Sequence, residues 1–128
     1  MARETEDKIL DPATLERGVA AVFDNPAHGF YLVAERAGTP VACLMVTFEW
    51  SDWRNGQWWW IQSVYVTPNV RREGAFRALY AEVERRARAE RHVVGLRLYV
   101  EKQNARAQAT YRALGMNMAP YDLLERSF

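Results

Sequence analysis

The sequence predicts an α/β (α+β) domain in which a mixed, mainly antiparallel sheet is flanked by helices. Three observations carry this. Turn signals separate three consecutive strand-like runs; the hydrophobic period changes from two to 3.6 near Arg72; and helix-like and strand-like segments alternate from there onward. Hairpins followed by late helices describe a mixed sandwich and not a doubly wound dinucleotide-binding sheet.

Asp11 to Phe23 reads as the first helix. Asp11 caps it, Pro12 suits its first turn, and Leu15, Val19, Val22 and Phe23 lie on one stripe, before Asn25-Pro26 ends it. Phe30 to Glu35 and Val41 to Trp50 alternate as strands around the turn Ala37-Gly38-Thr39-Pro40. Ser51 to Gly56, with Asn55-Gly56 inside it, turns the chain into a third strand, Gln57 to Thr67, which Pro68 closes. Arg72 to Arg91 is the longest helix, with Phe76, Leu79, Tyr80, Val83 and Ala87 on its apolar face. A strand follows from Val93 to Val100, then a short helix from Ala105 to Leu114 with Ala107, Thr110, Tyr111 and Leu114 inward and Gly115 at its C′ position. A last strand is expected at Tyr121 to Arg126.

The 128 residues fit one domain, and 49% hydrophobic with 26% charged residues excludes a largely disordered chain. With 17 Lys+Arg against 16 Asp+Glu there is no charge excess to favour nucleic acid. The arginines of the long helix, Arg77, Arg85, Arg86, Arg88 and Arg91, interleave with Glu82, Glu84 and Glu90 instead of forming a basic face. The single cysteine, Cys43, has no intramolecular partner and reads as a structural thiol, and two histidines do not supply a zinc pattern, so no metal is expected. A polar start, MARETEDKIL, and no long apolar run imply a cytoplasmic protein that binds no membrane.

Two segments carry chemistry. Val64-Tyr65-Val66-Thr67-Pro68-Asn69-Val70-Arg71-Arg72-Glu73-Gly74-Ala75 is a strand, a basic turn and a helix start, where free N–H groups and the helix dipole favour an anion. A solvated helix start with surface arginines explains the same residues. Asn104 to Met116 pairs an N-cap asparagine with Tyr111 two turns on; a capped helix with a core tyrosine explains that equally.

Together the two blocks resemble the GNAT superfamily of acyl-CoA-dependent N-acetyltransferases. The pattern V-x-V-x-P-x-x-R-R-x-G-x, then N-x-x-A-x-x-x-Y-x-x-x-G-M after an intervening strand, is similar in order and spacing from about Ala13 to the C-terminus. Arg71-Arg72-Glu73-Gly74-Ala75-Phe76 resembles the family's pyrophosphate loop, R/Q-x-x-G-x-G/A, except that Phe76 stands where a small residue is usual. The tryptophan-rich stretch Glu49 to Gln62 is similar to the diamine acetyltransferase-like branch.

The resemblance implies acetyl-CoA as co-substrate and a small-molecule primary amine as acceptor, acetylated by direct attack through a tetrahedral intermediate. It implies that the backbone of Val64, Tyr65 and Val66 pairs with the pantetheine arm, and that Arg71, Arg72, Glu73, Gly74, Ala75 and Phe76 cradle the pyrophosphate. Asn104 would hold the arm or its loop, and Tyr111 would protonate the departing thiolate, a task suited to a phenol, whose pKa near 10 exceeds that of a thiol. Glu49 is the first carboxylate candidate for general base, with Glu4, Glu6 or a relayed water as alternatives. Trp50, Trp53, Trp58 and Trp60 are candidates to hold a cationic amine through their ring faces. The family's sheet begins one strand earlier, so the first strand and the start of the first helix are expected to be lacking. The sheet edge left uncovered favours a homodimer. An acyl-CoA-binding module without catalysis is the alternative reading.

Overall fold

The computed structural model describes residues 8–128. Helix α1, Pro12–Asp24, starts as its sequence dictates: the Asp11 carboxylate accepts the Thr14 N–H at 2.9 Å and the Thr14 hydroxyl at 2.6 Å, with Pro12 in the first turn. Those hydrogen bonds hold the Asp11 carboxyl below its ordinary range. The apolar stripe of Leu15, Val19, Val22 and Phe23 is only partly covered. No residue of α1 is buried, Leu15 and Phe23 are exposed, and Phe23 stacks on Tyr31 at 5.3 Å between ring centroids. Periodicity sets which face a helix offers; tertiary contacts decide what covers it, and among the described residues little does.

Strands β1 (Phe30–Arg36), β2 (Thr39–Ser51) and β3 (Gly56–Val66) form an antiparallel meander. The first connection is the two residues Ala37-Gly38, at φ of 51° and 79°, a geometry that suits the right-handed twist of the flanking strands. Thr39 and Pro40, read from the sequence as turn, therefore belong to β2. Helix α2, Ala75–Ala89, crosses the sheet and returns the chain to β4 (Val93–Leu98), which lies parallel to β3 and completes the order β1-β2-β3-β4. Helix α3, Ala105–Ala113, follows; its end is closed by the Gly115 N–H to the Arg112 carbonyl at 3.0 Å and the Met116 N–H to the Tyr111 carbonyl at 3.1 Å.

The core lies between one face of the sheet and α2. Leu44, Val46 and Val83 are fully buried, surrounded by Leu32, Ala42, Trp59 and Ile61 of the sheet and Leu79, Tyr80 and Ala87 of α2. The helical stripe predicted for α2 is the one observed, with Phe76 half-buried at its end. Helix α2 begins later than Arg72 because Arg72 and Gly74 adopt left-handed backbone. In α3, Ala107, Tyr111 and Leu114 are half-buried as expected, but Thr110 is exposed and its hydroxyl donates to the Arg106 carbonyl at 3.2 Å. Ahead of α1, residues 8–11 hold no strand.

The strand expected at Tyr121 to Arg126 does not form. Residues 117–128 have no regular pairing, and Tyr121, Leu123, Leu124 and Phe128 are exposed. Pro120 lacks an N–H to donate, and the segment that follows is drawn across the end of the sheet, where Tyr121, Asp122 and Leu123 form part of a cavity wall.

Leu44→Ala is expected to lower stability by about 2–5 kcal/mol, read as a fall in the urea midpoint at constant slope. Leu15→Ala, on the exposed stripe, is expected to change it by less than about 0.5 kcal/mol.

Candidate active site

The site begins where two strands part. β3 pairs with β4 from Gln57↔Val93 to Ile61↔Leu98, and beyond Ile61 it continues to Val66 with no strand paired on that side among the described residues. A bulge coincides with the parting. Cys43 pairs with Tyr65 and Met45 with Gln62, so Leu44 faces both Ser63 and Val64, and Ser63 takes φ 51°. The extra residue restores Val64 and Val66 to the core side, bends β3, and leaves an open backbone edge along Val64, Tyr65 and Val66.

A short 3-10 turn, Pro68–Val70, leads from that edge into the basic loop. Arg72 at φ 66° and Gly74 at φ 89° stand in left-handed conformation on either side of Glu73, a backbone curvature that gathers N–H groups into an anion-binding concavity. Gly74 is the N-cap of α2 and no side chain caps that end, so the first-turn N–H groups of Ala75 and Phe76 are left for an outside acceptor. A Cβ at Gly74 would meet nothing within 4 Å; glycine is needed for its φ, not for space. The loop is braced on both flanks. Arg71 Nε donates to the Val66 carbonyl at 2.9 Å with its guanidinium 5.8 Å from the Tyr65 ring centroid, and Glu73 pairs with Arg36 at 2.5 Å.

Phe76 does not intrude on the loop. It packs 5.8 Å from the Tyr111 ring and 6.2 Å from Tyr80, so its bulk joins α2 to α3. Val64, Phe76, Asn104 and Tyr111 share the wall of one open cavity of about 240 Å³. Asn104 caps α3, its side-chain oxygen accepting the Ala107 N–H at 3.0 Å, which leaves its amide NH₂ as the group able to meet a ligand. Burial raises the Tyr111 phenol above its ordinary pKa of 10.0 and keeps it protonated at neutral pH.

Tyr111 also lines a second, larger cavity of about 570 Å³, together with Glu49, Trp60, Arg97, Tyr99, Lys102 and Arg112, with Met116 to Leu123 along one side. Glu49 sits here, but not alone: it accepts Trp60 Nε1 at 2.8 Å and Arg97 Nη1 at 3.1 and 3.4 Å. Glu4 and Glu6 lie outside the described residues. Of the tryptophans expected to form an acceptor pocket, Trp50 is 58% and Trp53 86% exposed, and neither lines the cavity. Trp59 is core, and Trp58 faces Arg97.

Arg97, Tyr99, Lys102 and Arg112 were not candidates from the sequence. The signal for Arg97 is a lone charge inside the apolar run Val93 to Val100, two residues after Gly95. That glycine is required by close approach, since a Cβ there would lie 2.4 Å from the Trp58 ring, and its absence lets the indole lie over β4 beside Arg97. Along α2, Arg85 and Arg86 pair with Glu82 and Arg88 with Glu84, which leaves no continuous basic face on that stretch. No helix among the described residues is long and apolar enough to cross a membrane.

The Acetyltransferase (GNAT) family pattern matches residues 2–116. No curated protein matches the chain significantly. Among solved structures, a possible acetyltransferase from Clostridium difficile 630 is 43% identical with a TM-score of 0.92, over 99% of this chain and 84% of that one. Two more distant structures share the fold. The aminoglycoside N-acetyltransferase AAC(6')-Iy in complex with CoA is 16% identical, with a TM-score of 0.70 over 91% of this chain and 87% of that one. The glucosamine-6-phosphate N-acetyltransferase from Arabidopsis thaliana is 16% identical, with a TM-score of 0.71 over 92% and 80%. With a family match over residues 2–116 and a 43% identical structure aligned along nearly its whole length, this chain belongs to the GNAT acetyltransferase family.

Proposed function

We propose that this protein transfers an acetyl group from acetyl-CoA to a primary amine of a small molecule by direct attack. The observation that carries the reading is the continuity of three features: the edge of β3 beyond Ile61 that no described strand pairs with, the uncapped turn at Arg72 to Phe76, and the cavity holding Asn104 and Tyr111. An extended amide-bearing arm suits the first, a pyrophosphate the second, and a thioester at the meeting of the two cavities the third.

The amine nitrogen attacks the thioester carbon, the C–N bond forms, and a tetrahedral oxyanion collapses with cleavage of the C–S bond. A main-chain N–H at the parting of β3 from β4 stabilises that oxyanion in this reading. The nitrogen loses one proton, to Glu49 or a water held by it, and the departing thiolate gains one from Tyr111. Each phenolic proton given up is then replaced from solvent, and the products are the acetamide and free CoA thiol. A partner copy along β1, whose outer edge pairs with no strand among the described residues, gives a homodimer in the same proposal.

Tyr111→Phe is expected to reduce kcat by about 10²-fold while the calorimetric Kd for acetyl-CoA changes by no more than about twofold. Wild-type turnover in the variant would remove Tyr111 from the role, and no binding of acetyl-CoA at millimolar concentration would overturn the reading.

Tyr111 also fixes a pH dependence. The folded chain keeps this phenolic proton to higher pH than the unfolded chain does, so its contribution to stability is complete below about pH 10 and is lost as pH rises through the raised pKa. Tyr31 and Tyr80 are raised in the same direction by burial. An ultraviolet titration of tyrosinate is expected to lose one of the late-titrating phenols in Tyr111→Phe; loss of one that titrates at the ordinary position would contradict the assigned environment.

A further inference from the structure

The larger cavity is already furnished with a cation of its own. The Arg97 guanidinium carbon lies 4.0 Å from the centroid of Trp58 and 5.9 Å from that of Trp60, and its Nη1 donates to both oxygens of Glu49. Trp60 is fixed in turn, donating Nε1 to Glu49 at 2.8 Å and stacking on Tyr99 at 4.5 Å. The indole faces and the carboxylate that would attract a cationic acceptor therefore serve the protein's own guanidinium. The pair is half-shielded from water, with 26% of the Arg97 and 43% of the Glu49 side chain exposed, so a competing ammonium would have to displace a partner that is already desolvated and oriented.

The remaining charges on that cavity lean the other way. Lys102 stands 3.8 Å from Asp122. Arg112, the residue after Tyr111 on α3, has no ion-pair or hydrogen-bond partner for its side chain among the described residues. The wall thus carries three cations, Arg97, Lys102 and Arg112, against two carboxylates, Glu49 and Asp122, and its unmatched charge is positive. A planar guanidinium beside the acetyl-transfer position is a receptor for an oxyanion.

We infer that the acceptor is an amine that also carries an oxyanion, a carboxylate or a phosphate, and that Arg112 is the residue that selects it. The inference rests on the acetyltransferase reading and narrows its acceptor class. It excludes the diamines suggested by the tryptophan-rich stretch: the amine approaches the thioester near Tyr111 and Glu49 while the oxyanion sits against Arg112. The bonds made and broken are those of the acetyl transfer above, and the oxyanion takes no covalent part.

The test is thiol release from acetyl-CoA by the full chain with matched acceptors: an amino carboxylate, an aminoalkyl phosphate, the corresponding neutral amino carboxamide, and a diamine of similar length. The expected kcat/KM for one of the two oxyanion-bearing amines exceeds those for the carboxamide and the diamine by about tenfold or more, the worth of one charge-assisted hydrogen bond. The faster of the two identifies the oxyanion. Arg112→Gln is expected to bring that ratio close to one, and Arg112→Lys to restore part of it. A carboxamide or diamine acetylated as well as the oxyanion-bearing amines, or a preference unmoved by Arg112→Gln, overturns the acceptor inference and leaves acetyl transfer standing. Thiol release with none of the four amines overturns acetyl transfer itself, and this inference with it.

Discussion

The organising constraint is the parting of β3 from β4 after Ile61. A parallel pair inside a sheet ordinarily satisfies its backbone along its length, and leaving a run of strand edge open costs free energy unless water or a ligand meets it. Here the one-residue bulge at Ser63 bends β3 away while keeping Val64 and Val66 on the core side. Core packing therefore holds the open edge in place, and no side chain has to be sacrificed to make it. The basic loop follows directly because β3 ends there, and α2 begins where the loop's left-handed residues deliver its uncapped first turn. Phe76 then links that turn to Tyr111, so the three parts of the site share one rigid support.

Much of this was legible in the chain. The stripe of Leu79, Tyr80, Val83 and Ala87 specified which face of α2 is buried, because a period of 3.6 leaves one solution. Asn104 was legible as an N-cap, whose side-chain oxygen few residue types supply, whereas Gly74 was legible only as a loop residue open to an anion and its positive φ shows in the backbone alone. The bulge was not. Ser63 carries no β-bulge signature, and the extra residue shows only in the register against β2. The expected last strand does not form although β4 offers an edge that no described strand pairs with; Tyr121 to Leu123 line a cavity instead. The stripe of α1 was legible as apolar, but what covers it was not, since nothing in a helix's own sequence names its partner.

The tryptophans show the same limit in the site. Their number suggested a cage for a cationic amine, yet side-chain alternation separates them: Trp59 enters the core, Trp58 and Trp60 face Arg97, and Trp50 and Trp53 stay in water. Arg97 is distant in sequence from Glu49 and meets it only because β3 lies between β2 and β4. A single half-shielded ion pair therefore occupies the indole faces that would otherwise meet a cation, and the unmatched charge on the same cavity wall is that of Arg112.

If the edge of β3 beyond Ile61 and the loop after it form the acetyl-CoA site, ligand binding shields their backbone, which amide hydrogen exchange with and without acetyl-CoA measures. Slower exchange is expected on binding at amides between Gln62 and Val66 and between Arg72 and Arg77, with little change in the β1–β2 hairpin. Binding that leaves those two segments unprotected, or protects only the wall around Trp58 and Arg97, would contradict that assignment.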